Sequence, residues 1–480
     1  MPTRAQSLFF AYLLIINLIL MCLPLRTLQP NARIPGEDRQ ALQIIGDRAG
    51  VLAAANFVPL LLTSARNNIL LCLTNWSHST YLLAHRWLGY IVILQTVVHS
   101  AGLLHYFLHY SDHAAEAALP YWYWGIVSTL AICLILPLSI LPIRRSFYEL
   151  FLVAHKILAI LALVGYFLHI YYLFEYDWGY EIWVYAAGGI WFMDRLLRIL
   201  RIARNGVRTA RVTSLGEDSE LLKVEIEGVV AEGHVYLYFP TLTWRFYENH
   251  PFSVLASFSG EEKPTRMPSS AAQTMGIEKT PASATTEAPS TPEGSVNSTT
   301  TPAPIHSRTT LLLRPEKGLT RTLLSATKSA QNGQLTLPIL IESSYHSQNT
   351  SSLAHCSTLL AIAGGVGITA ILPLARSFPG PECRLYWSVK DADIVRGVQD
   401  ELGMLRARRM CEVEVRVGER FDVGRLVREE VLRGGDGGMG DVGVVVCGPP
   451  EMADEVRCAV GRVAGQARRG VVFIDEAFGW

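Results

Sequence analysis

The sequence predicts a multi-domain chain: an all-α bundle of six membrane helices, then an antiparallel β-barrel, then a small α/β domain. Three observations predict it. Uncharged apolar runs recur through the first 200 residues, short alternating stretches replace them after an arginine-rich exit, and a glycine-rich turn joins a buried strand to a helix near residue 364. Whole-chain averages conceal this division. The 480 residues are 50% hydrophobic and 18% charged, whereas a soluble domain carries about 25% charge. Forty-two basic and 42 acidic side chains cancel, which argues against nucleic acid as a partner. The eight cysteines include no Cys-x-x-Cys pair, which excludes a disulfide-stapled secreted module and the common zinc ribbons; they read as reduced and structural.

The first apolar run covers 8–24, about 17 residues and near the lower limit for spanning. Only Arg4 precedes it and no small-residue cleavage site follows, so it reads as a membrane helix rather than a signal peptide. Further runs lie at 49–65, 83–107, 121–142, 150–174 and 182–200. Six spans put both ends on one side. Arg66, Arg86, Arg144, Arg145, Arg195, Arg198, Arg201 and Arg204 then share a side that the positive-inside rule makes cytosolic, with Arg26, Arg33 and Arg39 as exceptions.

Ionisable residues inside spans are costly and therefore functional by default. The third span carries His85 and His99, the fifth His155 and His169, and each pair is fourteen residues apart. At 100° per residue that spacing returns to within about 40° of the same helix face, and it separates the histidines by about 21 Å along the axis. The third and fifth spans run parallel. His85 then faces His155 near the cytosolic side and His99 faces His169 near the outer side. Two facing imidazoles supply both axial positions of a haem iron, a closed coordination suited to electron transfer. Buried structural histidines are the alternative, which two identical spacings on parallel helices disfavour. Arg86 suits a haem propionate and the positive-inside rule equally. His105, His109, Asp112, His113 and Glu116 form an outward segment that suits a transient iron or copper site or, more simply, a solvated helix end.

Beyond the arginines, 207–215, 221–227 and 234–239 read as strands, and His250, Pro251, Phe252 and Ser253 open another. From 259 to 307 the composition collapses to Ser, Thr, Pro, Ala and Glu, an expected disordered insertion. Strand character resumes at 310–315, so the barrel is interrupted rather than ended. A buried strand at 357–363 leads into Gly364, Gly365, Gly367 and Thr369 and then a helix, an arrangement that presents backbone N–H groups to a phosphate. A second strand ends at Lys390, where a cation meets a nucleotide phosphate. A later one ends at Cys447, Gly448 and Pro449, at the carboxyl edge where open parallel sheets bind ligands.

The paired His-x13-His spans, HPFS, GGVGIT, CGPP and the FIDEAFGW segment together resemble fungal transmembrane ferric-chelate reductases, part of the superfamily that includes NADPH oxidases. The resemblance covers about 48–480, excluding the insertion. It implies a transmembrane haem domain at 1–204 and a ferredoxin-NADP-reductase-like module. In that module an FAD-binding barrel covers 205–350 and an NADPH-binding α/β domain covers 351–480. His85, His155, His99 and His169 would ligate two b-type haems. His250, Pro251, Phe252, Ser253, Gly318 and Thr320 would hold FAD, with Trp480 covering the flavin ring. Gly364, Gly365, Gly367, Thr369, Lys390, Cys447, Gly448 and Pro449 would hold NADPH. Where the family has Glu-Gly-Pro-Tyr-Gly, this chain reads Glu342, Ser343, Ser344, Tyr345, His346, without the glycines that allow close backbone approach to a ligand.

The expected activity is electron transfer from cytosolic NADPH through FAD and the haems to extracellular ferric, or cupric, chelates, supporting iron uptake at the plasma membrane. Ferric chelates or siderophores, membrane lipid and iron-uptake proteins are the expected partners. A superoxide-producing oxidase of the same build is the first alternative, and a non-enzymatic haem- or metal-binding membrane protein the second. The glycosylation-type triplets at Asn75, Asn297 and Asn349 fall on the expected cytosolic side and read as unmodified.

Overall fold

Apolar segments that enter hydrocarbon must satisfy every backbone N–H and C=O internally, so they form helices. The computed structural model describes residues 4–74, 76–216, 220–259, 307–345, 352–408, 410–433 and 440–476. Its first part is helical: α1 (Arg4–Cys22), α2 (Glu37–Ser64), α3 (Ile69–Thr74), α4 (His78–Tyr110), α5 (His113–Ala117), α6 (Pro120–Leu138), α7 (Leu141–Ser146), α8 (Tyr148–Phe174) and α9 (Glu181–Asn205). Among the described residues five helices, α1, α2, α4, α6 and α8, are long and apolar enough to cross a membrane.

Two elements differ from expectation. Helix α2 begins at Glu37 rather than near 49, because Glu37 and Asp38 occupy its first turn, where acidic groups favour the helix dipole. The expected sixth span is a helix, α9, but its second half carries Asp194, Arg195, Arg198, Arg201 and Arg204. The barrel takes up several of those charges, as described below. Pairing is close elsewhere: α4 packs along α2 and α8 along α6. Gly165 brings α8 onto the Ser128 backbone, where Ser128 Oγ donates to the Ala162 carbonyl at 2.9 Å.

Six antiparallel strands follow: β1 (Val207–Ser214), β2 (Leu222–Glu227), β3 (His234–Tyr238), β4 (His250–Phe258), β5 (Arg308–Leu313) and β6 (Gln334–Tyr345). They close into a barrel in the order β1-β2-β5-β4-β3-β6. Alternate inward residues such as Val212, Val224, Ile226, Val235, Leu311 and Ile339 fill it, and α10 (Leu319–Ser329) adds Leu319, Leu323 and Leu324 to the same core. Phe258 pairs with Arg308 across β4 and β5. The insertion therefore leaves and re-enters the barrel at adjacent points of one antiparallel pair; residues 260–306 lie outside the described ones.

The last part is a parallel sheet of β7 (Cys356–Gly364), β8 (Glu382–Val389), β9 (Cys411–Val417), β10 (Asp441–Cys447) and β11 (Val471–Asp475), ordered β11-β10-β7-β8-β9. Leu359, Ala361 and Ala363 of β7 face α11 (Ile368–Ser377), while Leu360 and Ile362 face α14 (Val423–Leu432) and α15 (Pro450–Val463). Burial on both faces is what makes β7 a continuous apolar run. Leu255 of β4 and Leu312 of β5 join the α11-side core, so barrel and sheet share packed interior.

Candidate active site

The four span histidines meet in two pairs. The His85 and His155 ring centroids lie 6.2 Å apart, and so do those of His99 and His169. Both pairs join α4 to α8. Three of the four rings are aimed by backbone carbonyls: His85 Nδ1 donates to Leu60 O at 2.9 Å, His99 Nδ1 to Gly46 O at 2.8 Å, and His169 Nδ1 to Tyr121 O at 2.8 Å. A proton held on Nδ1 leaves the Nε2 lone pair free for a metal. His155 Nδ1 is buried and has no hydrogen-bond partner among the described residues.

The donor set fits a haem iron. Two metal–nitrogen bonds of about 2 Å, with roughly 1 Å from each nitrogen to its ring centre, sum to about 6 Å, close to the observed separation. Glycines make the space. A Cβ at Gly50 would stand 2.6 Å from His99 Nδ1, and one at Gly125 would stand 2.8 Å from His169 Nδ1. Sequence reasoning missed both glycines; the available signal was a glycine in the middle of an apolar span.

At the far end of α4 the His105 and His109 rings lie 4.1 Å apart, and His109 Nδ1 donates to His105 O at 3.0 Å. The neighbouring carboxylates are otherwise engaged. Asp112 caps α5 by accepting from Ala115 N, and Glu116 accepts the Tyr121 hydroxyl. Among the described residues, no group of three or more His, Cys, Asp and Glu converges as a metal site.

The His85–His155 pair lies toward the barrel. His250 Nε2 stands 3.8 Å from Glu149 Oε1 in the first turn of α8, six residues before His155 and so about 9 Å of helix rise away. Burial pushes the His250 imidazole below its ordinary range against the pull of Glu248. Pro251, Phe252 and Ser253 pair with Tyr236, Val235 and His234 of β3, and β4 lies against α11. The strand expected to hold flavin thus sits between bundle and sheet. Gly318, at φ 66°, precedes α10. Thr320 Oγ1 accepts from Glu316 N at 3.3 Å, which ties up the turn that opens the helix.

Gly364, Gly365 and Gly367 stand at the carboxyl end of β7, beside Cys447, Gly448 and Pro449 at the end of β10. Strand order reverses between these two strands, which marks the ligand crevice of an open parallel sheet. The turns touch backbone to backbone: a Cβ at Gly367 would lie 2.3 Å from Cys447 O. Gly365 adopts φ 55°, a left-handed conformation that glycine accepts without strain. Trp387, fully buried, donates Nε1 to Gly365 O at 2.9 Å and so fixes the glycine turn; the sequence reading did not single it out. Thr369 uses its hydroxyl on Val366 O. Cys447 donates its thiol to Glu476 O at 3.3 Å, and burial pushes that thiol well above its ordinary range. Lys390 is exposed just past β8. Trp480, Phe478, His346, Asn75, Asn297 and Asn349 lie outside the described residues.

Glu342, Ser343, Ser344 and Tyr345 lie in β6. Glu342 is fully buried and paired with Arg66 and Arg198, each at 3.1 Å. Asn67, after α2, donates to Asp194 of α9 through its backbone at 3.0 Å and its side chain at 3.1 Å. These residues form a charged seam between bundle and barrel that sequence reasoning did not identify.

A family model described as "Ferric reductase like transmembrane component" matches residues 49–166. Ferric reductase transmembrane component 3 of Saccharomyces cerevisiae is 29% identical over 262 residues, covering 54% of this chain and 36% of that protein. Ferric/cupric reductase transmembrane component 1 of Candida albicans is 23% identical, covering 100% of this chain and 63% of that protein. The chain thus spans between about a third and two thirds of these relatives' own length. In its histidine pairs, and in the barrel and sheet that follow them, the chain is similar to ferric reductase transmembrane components, and residues 49–166 match the model of that family.

Proposed function

We propose that the protein carries electrons from cytosolic NADPH across a membrane to chelated ferric ion outside, with cupric chelates as a further acceptor. The observation that carries this reading is the pair of histidine pairs, each at 6.2 Å and stacked along the same two helices. When bound, FAD converts a hydride into single electrons and two b-type haems relay them. His85 and His155 hold the inner haem, and His99 and His169 the outer one. Leu60, Gly46 and Tyr121 keep three of those rings aimed through their carbonyls.

His250, Pro251, Phe252 and Ser253 would line a bound flavin and the Gly318–Thr320 turn would serve its phosphates, while Trp480, expected to cover the ring, lies outside the described residues. Gly364, Gly365 and Gly367, at the N-terminus of α11, would hold the NADPH phosphates, with Thr369 fixing the first turn through Val366 O and Lys390 adding a cation. Cys447, Gly448 and Pro449 border the nicotinamide. The domains so defined are 1–204, 205–350 and 351–480. The setting is the plasma membrane with both soluble units in the cytosol, in contact with lipid, taking ferric chelates or siderophores and serving iron-uptake proteins.

Intact cells test this. His99→Ala or His169→Ala should abolish surface ferric-chelate reduction, read with superoxide dismutase present; full activity in either variant sinks the two-haem path. Dismutase-sensitive reduction by the wild type would instead favour dioxygen as the acceptor.

A further inference from the structure

Glu342 is fully buried where the helical bundle meets the barrel. Its carboxylate accepts Arg66 Nη1 at 3.1 and 3.2 Å, Arg198 Nε at 3.1 Å, and the Tyr238 hydroxyl at 2.9 Å. The Tyr345 hydroxyl completes the set. Both cations come from the bundle, Arg66 just beyond α2 and Arg198 from α9, while both phenols come from the barrel. One carboxylate therefore joins α9 and the segment that follows α2 to two strands.

The connections lead to both ends of the electron path. Helix α2 gives its Leu60 carbonyl to His85. Further along the same segment, Arg66 Nη2 donates to Asn249 Oδ1 at 2.8 Å, and Asn249 directly precedes His250. The Arg66 guanidinium also lies 3.4 Å over the Tyr236 ring. On α9, Arg201 Nη1 donates to Ser344 O at 2.7 Å and lies 4.7 Å over the Tyr345 ring. Without the Glu342 carboxylate, two guanidiniums would remain close together, partly desolvated and unneutralised. The seam would open at that point.

We propose that Glu342 is a positioning residue for transmembrane electron transfer: by holding Arg66 and Arg198 together it sets the separation between the His250–Ser253 strand and the His85–His155 pair. This rests on the electron path proposed above. Hydride delivery depends on the barrel and the parallel sheet, which share a core through Leu255 and Leu312 and which Glu342 does not join.

The test uses the full chain purified with its cofactors, mixed anaerobically with NADPH, following flavin bleaching and haem reduction separately. In Glu342→Gln, flavin bleaching should stay within about twofold of wild type while haem reduction slows about tenfold or more, since the opened seam lets the two cofactor-holding elements move out of position. Asn249→Ala, which leaves the ion cluster in place, should slow haem reduction by a smaller factor. As a readout independent of turnover, amides of 340–345 and 247–250 should exchange hydrogen about tenfold faster in Glu342→Gln, with β7 and β10 unchanged. Wild-type haem reduction in both variants, or an equal slowing of the flavin and haem steps, overturns the proposal. If Glu342→Gln does not accumulate, Asn249→Ala decides alone. Absence of NADPH-driven haem reduction in the wild type would overturn the electron path itself, a result distinct from any variant-specific effect.

Discussion

Position 125 is a glycine beside His169, where a methyl group would stand 2.8 Å from the ring nitrogen that binds Tyr121 O. Gly125→Ala must push the imidazole off its carbonyl or part α6 from α8. Overpacking of this kind costs about 1–3 kcal/mol, and here the strain falls on a ligand. On the electron path proposed above, the variant should enter the membrane but lose the outer haem, so that its reduced-minus-oxidised spectrum has about half the wild-type b-type amplitude. Gly89→Ala, whose nearest neighbour would be Leu60 Cδ1 at 4.0 Å, should keep both haems. A full spectrum in Gly125→Ala would show that the close approach is not needed. The histidines themselves were legible because an imidazole in an apolar span is chemically conspicuous. The glycines were not, because a missing side chain takes meaning only from the neighbour that fills its space.

Elements were legible wherever one face of the pattern met one solvent. The alternation of β2 and the unbroken apolar run of β7 follow from burial on one face and on two. Element ends followed less well. Helix α2 extends toward its acidic N-terminus, and those extra turns bring Gly46 O to His99. The insertion is a case where register decides: since Phe258 lies opposite Arg308, a short turn can replace 260–306 without moving either strand. Shortening a loop changes closure entropy by only about 0.6 kcal/mol per halving. The shortened chain should therefore bind flavin stoichiometrically and be reduced by NADPH within about twofold of the wild-type rate. Failure to retain flavin would assign the segment a structural role in the barrel.

The bundle and barrel act as one molecule through the Glu342 seam. Burial alone would raise this carboxyl, but Arg66 and Arg198, with hydrogen bonds from Tyr345 and Tyr238, hold it below its ordinary value of 4.5. Its folded pKa is depressed, so the unfolded chain binds the proton more readily and stability rises with pH. The contribution is complete above about 4.5 and is lost as pH falls through the folded value. Thermal unfolding in detergent should show the wild-type midpoint falling as pH drops below about 4.5. Glu342→Gln should lie lower at pH 7 and lack that acidic limb. Parallel curves for the two proteins would place the acid sensitivity elsewhere.

By itself the sequence indicated the five long apolar helices, five of the six barrel strands, the three parallel strands around the glycine turn, and the four histidines that pair. Those features depend on the period of apolar residues and on the high cost of an ionisable group in hydrocarbon, both local properties of the chain. Only the tertiary structure decided that α9's charges serve the barrel, that Gly50 and Gly125 seat the outer histidines, and that Trp387 fixes the glycine turn. It also turned the Glu342–Tyr345 stretch, which by sequence is a ligand turn lacking its glycines, into a buried ionic junction. Those outcomes depend on contacts between residues far apart in the chain, such as Arg66 with Glu342, whose energies exist only once the two surfaces have excluded water.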